Sequence, residues 1–97
     1  MLDKSIVFEE KFVDEEFETT TLYFIAPKEI LNGKFPEADF ATISVEFPTS
    51  NPRPEFSSVM YSPAVYEEEN DAYEDYAWFD VELSYSEIAE LLLIGGF

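Results

Sequence analysis

Carboxylates are the one class of reactive group this chain holds in abundance. Residues 66 to 76 read Tyr-Glu-Glu-Glu-Asn-Asp-Ala-Tyr-Glu-Asp-Tyr, six acids in eleven residues with tyrosines between them and no Lys, Arg or His. The whole chain carries 22 acids in 97 residues. Two carboxylates suffice to hydrolyse a glycoside, but with so many present any pair meets a spacing rule, and none is singled out. His and Cys are absent. That removes the commonest general base, the commonest transition-metal ligand and the thiolate nucleophile. The serines therefore have no imidazole to activate them, and nothing favours a Ser–Lys pair. Gly33, Gly95 and Gly96 are the only glycines, and their positions suit helix ends rather than a phosphate-binding loop. The expectation is a protein that is not an enzyme, with no catalytic residue and no cofactor. For metals, Asp71, Tyr73 and Asp75 reproduce the alternating EF-hand spacing only in part, and the mid-loop Gly is missing. A Ca²⁺-responsive acidic module is thus a third-ranked reading, and no metal ligand is assigned.

Charge bears more directly on partners. Five basic residues against 22 acids give a net charge of -17. Area scaling predicts a folded surface of roughly 5,700 Å² for this mass. Spread evenly, that charge is about a third as dense as on B-DNA; gathered on one face, it approaches DNA. Nucleic acid and anionic membranes are repelled and basic proteins attracted. Aromatic side chains suited to stacking on bases are present, but direct nucleic-acid binding also needs a basic groove, which five scattered residues cannot supply.

The acids form three clusters: Glu9-Glu10, then Asp14-Glu15-Glu16 with Glu18, then Glu67-Glu68-Glu69 with Asp71, Glu74 and Asp75. Tyr73, Tyr76 and Trp78 stand beside the third, and such side chains anchor interfaces and stack on Arg. The partner-binding residues expected are Asp14, Glu15, Glu16, Glu18, Glu67, Glu68, Glu69, Asp71, Tyr73, Glu74, Asp75, Tyr76 and Trp78. They form one negative face if the first hairpin tip and the third cluster share an end of the sheet. Tyr23, Tyr61 and Tyr85 read as half-buried sheet or cap residues.

The elements that must position these groups follow from periodicity. Residues 5–13 read as a strand with Ile6, Phe8 and Phe12 on one face, and residues 17–25 as a second strand joined to it by a short acidic turn. Residues 26–36 suggest one or two turns of helix, with Pro27 opening it and Gly33 in the left-handed position after its end. Residues 38–47 alternate cleanly, Ala41, Ile43, Val45 and Phe47 on one side and Phe40, Thr42, Ser44 and Glu46 on the other. Three prolines make 48–54 a loop. Residues 56–61 read as a fourth strand that Pro63 limits or places at an edge, 67–75 as an acidic loop, and 76–83 as a fifth strand. Ser84-Tyr85-Ser86-Glu87 is a capping box, with Leu83 and Ile88 spaced as a staple. Ile88, Leu91 and Leu92 form the buried stripe of the helix it opens, which Gly95-Gly96 ends.

The expected fold is one α+β domain over residues 1–97. It is a mostly antiparallel sheet of about five strands, with the C-terminal helix packed on one face and one short helix after the second strand. The ten Phe, six Tyr and one Trp supply a core despite the charge. No signal-peptide pattern opens the chain and no apolar run approaches the roughly 20 residues of a membrane span, so a cytoplasmic protein is expected. Small, strongly acidic α+β proteins include inhibitors that phages and mobile elements direct against host defence nucleases, an analogy of charge and size alone. The leading expectation is a non-enzymatic DNA or RNA mimic of the anti-CRISPR or anti-restriction type. It would occupy the basic groove of a nucleic-acid-binding protein. The alternative is an acidic immunity-type or adaptor protein that binds one specific basic protein by shape.

Overall fold

The computed structural model describes residues 5–75 and 77–97. They form a small α+β domain built on a curled antiparallel sheet. Its strands are β1 (Val7–Asp14), β2 (Thr19–Ala26), β3 (Phe40–Pro48), β4 (Ser58–Glu67), β5 (Ala72–Asp75) and β6 (Phe79–Asp80), followed by the helix α1 (Tyr85–Ile94). The strand order is β1-β2-β3-β4-β5, each neighbour pair being antiparallel. The two-residue β6 pairs with the other end of β4, Met60 facing Asp80 and Tyr61 facing Phe79.

Alternation decides which side chains are buried. Leu22 and Phe24 of β2, Ala41, Ile43, Val45 and Phe47 of β3, and Val59 and Tyr61 of β4 make one continuous apolar layer. Ile88, Leu91 and Leu92, the stripe expected from 3.6-residue spacing, belong to the same buried cluster. Phe79, Val81 and Leu83 pack against it as the chain approaches α1. The end of the helix comes close to β2: a Cβ on Gly95 would lie 2.6 Å from Leu22 Cδ1.

Both ends of α1 are closed by local hydrogen bonds. Glu87 N–H donates to Ser84 Oγ at 3.2 Å, and Ser84 N–H donates to Glu87 Oε1 at 3.1 Å, the expected capping box. At the other end Gly96 adopts φ +91°. Its N–H reaches Leu93 O at 3.0 Å, and Phe97 N–H reaches Leu92 O at 2.8 Å, a Schellman closure. Phe97 then lies edge-on to Phe47, ring centroids 5.1 Å apart.

Four local expectations need correction. First, Phe8 and Phe12 do not share a face. A bulge between Phe8 and Glu10 sets two residues against one on β2, so Phe8 faces the core opposite Phe24 while Phe12 lies opposite Thr21 on the other side. Second, the short helix is a 3-10 turn, Lys28–Leu31, with Pro27 before it. Asn32 takes the left-handed cap position at φ 55°, followed by Gly33 at φ 75°. Third, β4 continues through Pro63 to Glu67, and residues 67–75 are not a loop: they turn back as β5. Pro63 falls where the outer edge of β4 changes partner, between the residues paired to β6 and those paired to β5. A residue without an N–H fits such a break. Fourth, of the strand expected over 76–83, only Phe79–Asp80 is strand among the described residues 77–83.

Candidate functional site: the open face of the sheet

The face opposite the apolar layer carries the polar half of each alternating strand. One row crosses all the long strands as Glu10, Tyr23, Ser44 and Met60, and β6 adds Asp80. The next row holds Phe12, Thr21, Glu46 and Ser58, and the one beyond it pairs Asp14 with Thr19. On the other side of the Glu10 row lie Thr42 and Ser62, then Phe40, Ala64 and Asp75, then Tyr66 and Tyr73. By register this face therefore receives Glu10, Asp14, Glu46, Asp75 and Asp80, and no Lys or Arg among the described residues. The described basic residues lie elsewhere. Lys11 and Lys34 have their ammonium groups over the Phe97 and Phe79 rings, at 5.9 and 5.8 Å. Lys28 lies in the 3-10 turn and Arg53 in the β3–β4 loop.

The sheet curls far enough for its first and fifth strands to line one cleft of about 500 Å³. Glu9, Glu10 and Phe12 come from β1, Tyr23 from β2, Phe40 and Thr42 from β3, Ala64 from β4, Tyr73 and Asp75 from β5, and Trp78 from the segment beyond. The right-handed twist of the strands, sharpened by the bulge at Glu9, accounts for this approach of distant strands. Thr42 Oγ1 donates to Asp75 Oδ1 at 2.8 Å, which orients that carboxylate from the cleft floor. The aromatic walls brace one another. Tyr73 lies 4.9 Å from Phe40 and 5.3 Å from Tyr66, centroid to centroid, and Tyr23 lies 6.3 Å from Trp78. A smaller depression shares Tyr23 and Trp78 with the cleft and is lined by Thr21, Ser44, Glu46, Ser58 and Met60 as well.

The structure separates the residues that the sequence grouped together. The β1–β2 turn and the β4–β5 turn lie at opposite ends of the antiparallel sheet and on opposite edges. Asp14, Glu15, Glu16 and Glu18 are therefore far from Glu67, Glu68, Glu69 and Asp71, and the condition of a shared end fails. Several of these acids are occupied with their own turns. Asp14 Oδ1 accepts from the N–H groups of Glu16 and Phe17, at 3.0 and 3.2 Å. Glu18 sits at φ 53°, and its carbonyl accepts from Thr49 N–H. Asp71, at φ 49°, accepts from the Tyr66 hydroxyl. This bond, then burial and the nearby Tyr73, holds that hydroxyl above the usual tyrosine range. Asn70 Nδ2 donates to Glu74 Oε1 at 3.0 Å, and Glu74 lies opposite Val65, on the core side of β5.

Of the expected partner-binding residues, Tyr73, Asp75 and Trp78 meet in the cleft, while Tyr76 lies outside the described residues. The cleft residues Glu9, Glu10, Phe12, Tyr23, Phe40 and Thr42 were not among the expected contacts. Phe40 was legible as an aromatic on the polar side of a cleanly alternating strand; Phe12 was hidden by the bulge. Among the described residues no group of three or more acids is arranged to hold a metal ion. No helix is long and apolar enough to cross a membrane. The chain matches no protein-family model, no curated protein and no solved structure.

Proposed function

We propose that this protein is a non-enzymatic inhibitor that sets its acidic open face into the basic nucleic-acid-binding groove of a partner protein. Carboxylates would stand there where phosphates stand in the natural complex. The observation that carries this reading is the strand register, which puts Glu10, Asp14, Glu46, Asp75 and Asp80 on one face and keeps the described Lys and Arg residues off it. Electrostatic steering then favours a basic partner and disfavours nucleic acid itself. Phage and mobile-element inhibitors of defence nucleases, of the anti-CRISPR or anti-restriction type, are the class this reading points to.

The test is capture of a defined nucleic-acid-binding protein from host lysate by the tagged chain. It is run beside the triple variant Glu10→Gln, Glu46→Gln, Asp80→Asn and repeated with excess DNA or RNA. The reading expects capture that the triple variant loses and nucleic acid displaces. Capture indifferent to both overturns it. A second reading, an immunity-type protein fitted by shape to one basic partner, draws support from the separation of the two acidic turns, which breaks any continuous phosphate-like track. It expects capture that depends on the open face but resists competition by nucleic acid.

A further inference from the structure

The cleft is more selective than a negative surface needs to be. It combines Glu9, Glu10 and Asp75 with the rings of Phe12, Tyr23, Phe40, Tyr73 and Trp78. We infer that this cleft is the anchor site for one arginine side chain of the basic partner, its guanidinium stacked on the aromatic walls and paired with the carboxylates. The inference rests on the proposed docking of the open face and names what that docking recognises.

The chemistry and shape of the site select the guanidinium. The rings offer negative π faces, which attract a cation and repel an anion. The carboxylates add acceptors, and a planar fork of N–H donors can use ring faces and acceptors together. A quaternary ammonium carries no N–H and leaves the acceptors unused, whereas a lysine ammonium is compact and strongly hydrated and stacks poorly. The Thr42 bond fixes the orientation of Asp75 before any ligand arrives, and it takes up only one of about four acceptor positions on that carboxylate. The cleft's volume of about 500 Å³ falls within the roughly 300–1,000 Å³ typical of ligand sites. That leaves room for the backbone flanking the arginine as well. Four of these aromatics, braced as the pairs Tyr23–Trp78 and Phe40–Tyr73, also lose little conformational freedom when a ligand is seated.

The experiment is an NMR titration of the full chain with the blocked pentapeptide Gly-Ser-Arg-Ser-Gly, with its Lys counterpart, and with tetramethylammonium. Amide and indole N–H shifts are followed in the wild type, in Asp75→Asn with Glu10→Gln, and in a rim variant, Glu67→Gln with Glu68→Gln and Glu69→Gln. Asparagine keeps an acceptor for Thr42, so that variant is expected to remain folded, and its amide spectrum checks this. We expect saturable shifts centred on Trp78, Tyr23 and Thr42. The Arg peptide should bind about tenfold more tightly than the Lys peptide. The cleft variant should weaken binding by about tenfold or more, and the rim variant should change it little. Equal response to Arg and Lys, tighter binding of tetramethylammonium, or shifts centred on the β4–β5 turn each overturn the inference. The capture experiment separates its failure from that of the docking reading. For that purpose it is run also with the double variant Glu46→Gln, Asp80→Asn and with the cleft variant: a partner still displaced by nucleic acid, lost with the double variant and kept by the cleft variant leaves the docking intact without an arginine anchor.

Discussion

Ser84 and Glu87 show how much local structure two residues can set. Ser84 Oγ accepts from the Glu87 N–H, and both the N–H and the hydroxyl of Ser84 donate to the Glu87 carboxylate. Those bonds, the backbone one foremost, pull the carboxyl of Glu87 below its ordinary value of 4.5. A depressed carboxylate stabilises the fold above its unfolded pKa and loses that contribution as pH falls through the folded one. Urea denaturation of the wild type and of Glu87→Gln should therefore converge as pH drops below 4.5, and a constant gap down to strongly acid pH would contradict this. Ser84→Ala should cost about 1 kcal/mol at neutral pH in the same assay. Gly96, at φ +91°, is the other sensitive end; Gly96→Ala forces a Cβ into the left-handed region and should cost about 1 kcal/mol. Tyr61 sets the alkaline limit. Burial, followed by the charge of Glu87, pushes its hydroxyl up to about 12 from 10.0. A phenol held protonated by the fold favours the folded state below pH 10, and that stability is lost as pH rises towards 12. A tyrosinate absorbance titration should show a step near pH 12, and Tyr61→Phe should remove that step while leaving the raised Tyr66 hydroxyl in place.

Single elements carry different liabilities. The β1 bulge places Phe12 and Glu10 on the open side while keeping Phe8 edge-on to Phe24, ring centroids 5.7 Å apart. Deleting Glu9 makes Phe8 and Glu10 consecutive, which preserves both face assignments and removes the local twist. The expected outcome is a folded protein with the Phe8–Phe24 contact intact in NOE spectra and weaker Arg-peptide binding, from a more open cleft and from the loss of the Glu9 carboxylate. Loss of the Phe8–Phe24 contact would show that the bulge sets the register as well as the twist. The helix depends on its apolar stripe. Leu91 is fully buried, so Leu91→Ala should cost about 2–5 kcal/mol, whereas the same change at the exposed Leu93 should cost little. The β4–β5 hairpin is the element whose sequence is most misleading. Its acids suggest a solvated loop, yet Tyr66 and Tyr73 pair across it and Tyr73 packs on Phe40 of the next strand. Ring contacts of this kind contribute about 0.5–1.5 kcal/mol each beyond area burial, and the hairpin draws on both of them.

At the scale of the molecule, charge and curvature act together. With a net charge of -17, encounter with a basic partner should be fast at low salt and fall steeply as salt rises. Stopped-flow association rates measured across ionic strength should show that slope. It should be reduced in the Glu10→Gln, Glu46→Gln, Asp80→Asn variant, and an unchanged slope would move the docking surface elsewhere. The chain by itself determined the alternation of residues 40–47, the capped helix with its Ile88, Leu91 and Leu92 stripe, the α+β class and the sign of the charge. These follow from residue type and spacing over short distances, where strand period, helix period and cap chemistry act independently of the remaining chain. Only the tertiary structure decided that the acidic turns lie at opposite ends of the sheet, that β5 emerges from the acidic run, and that Glu10, Tyr23, Asp75 and Trp78 surround one cleft. Those facts depend on strand order, on one unpaired residue in β1 and on the accumulated twist of the sheet. All three are fixed by the joint packing of strands far apart in the chain, which no local pattern records.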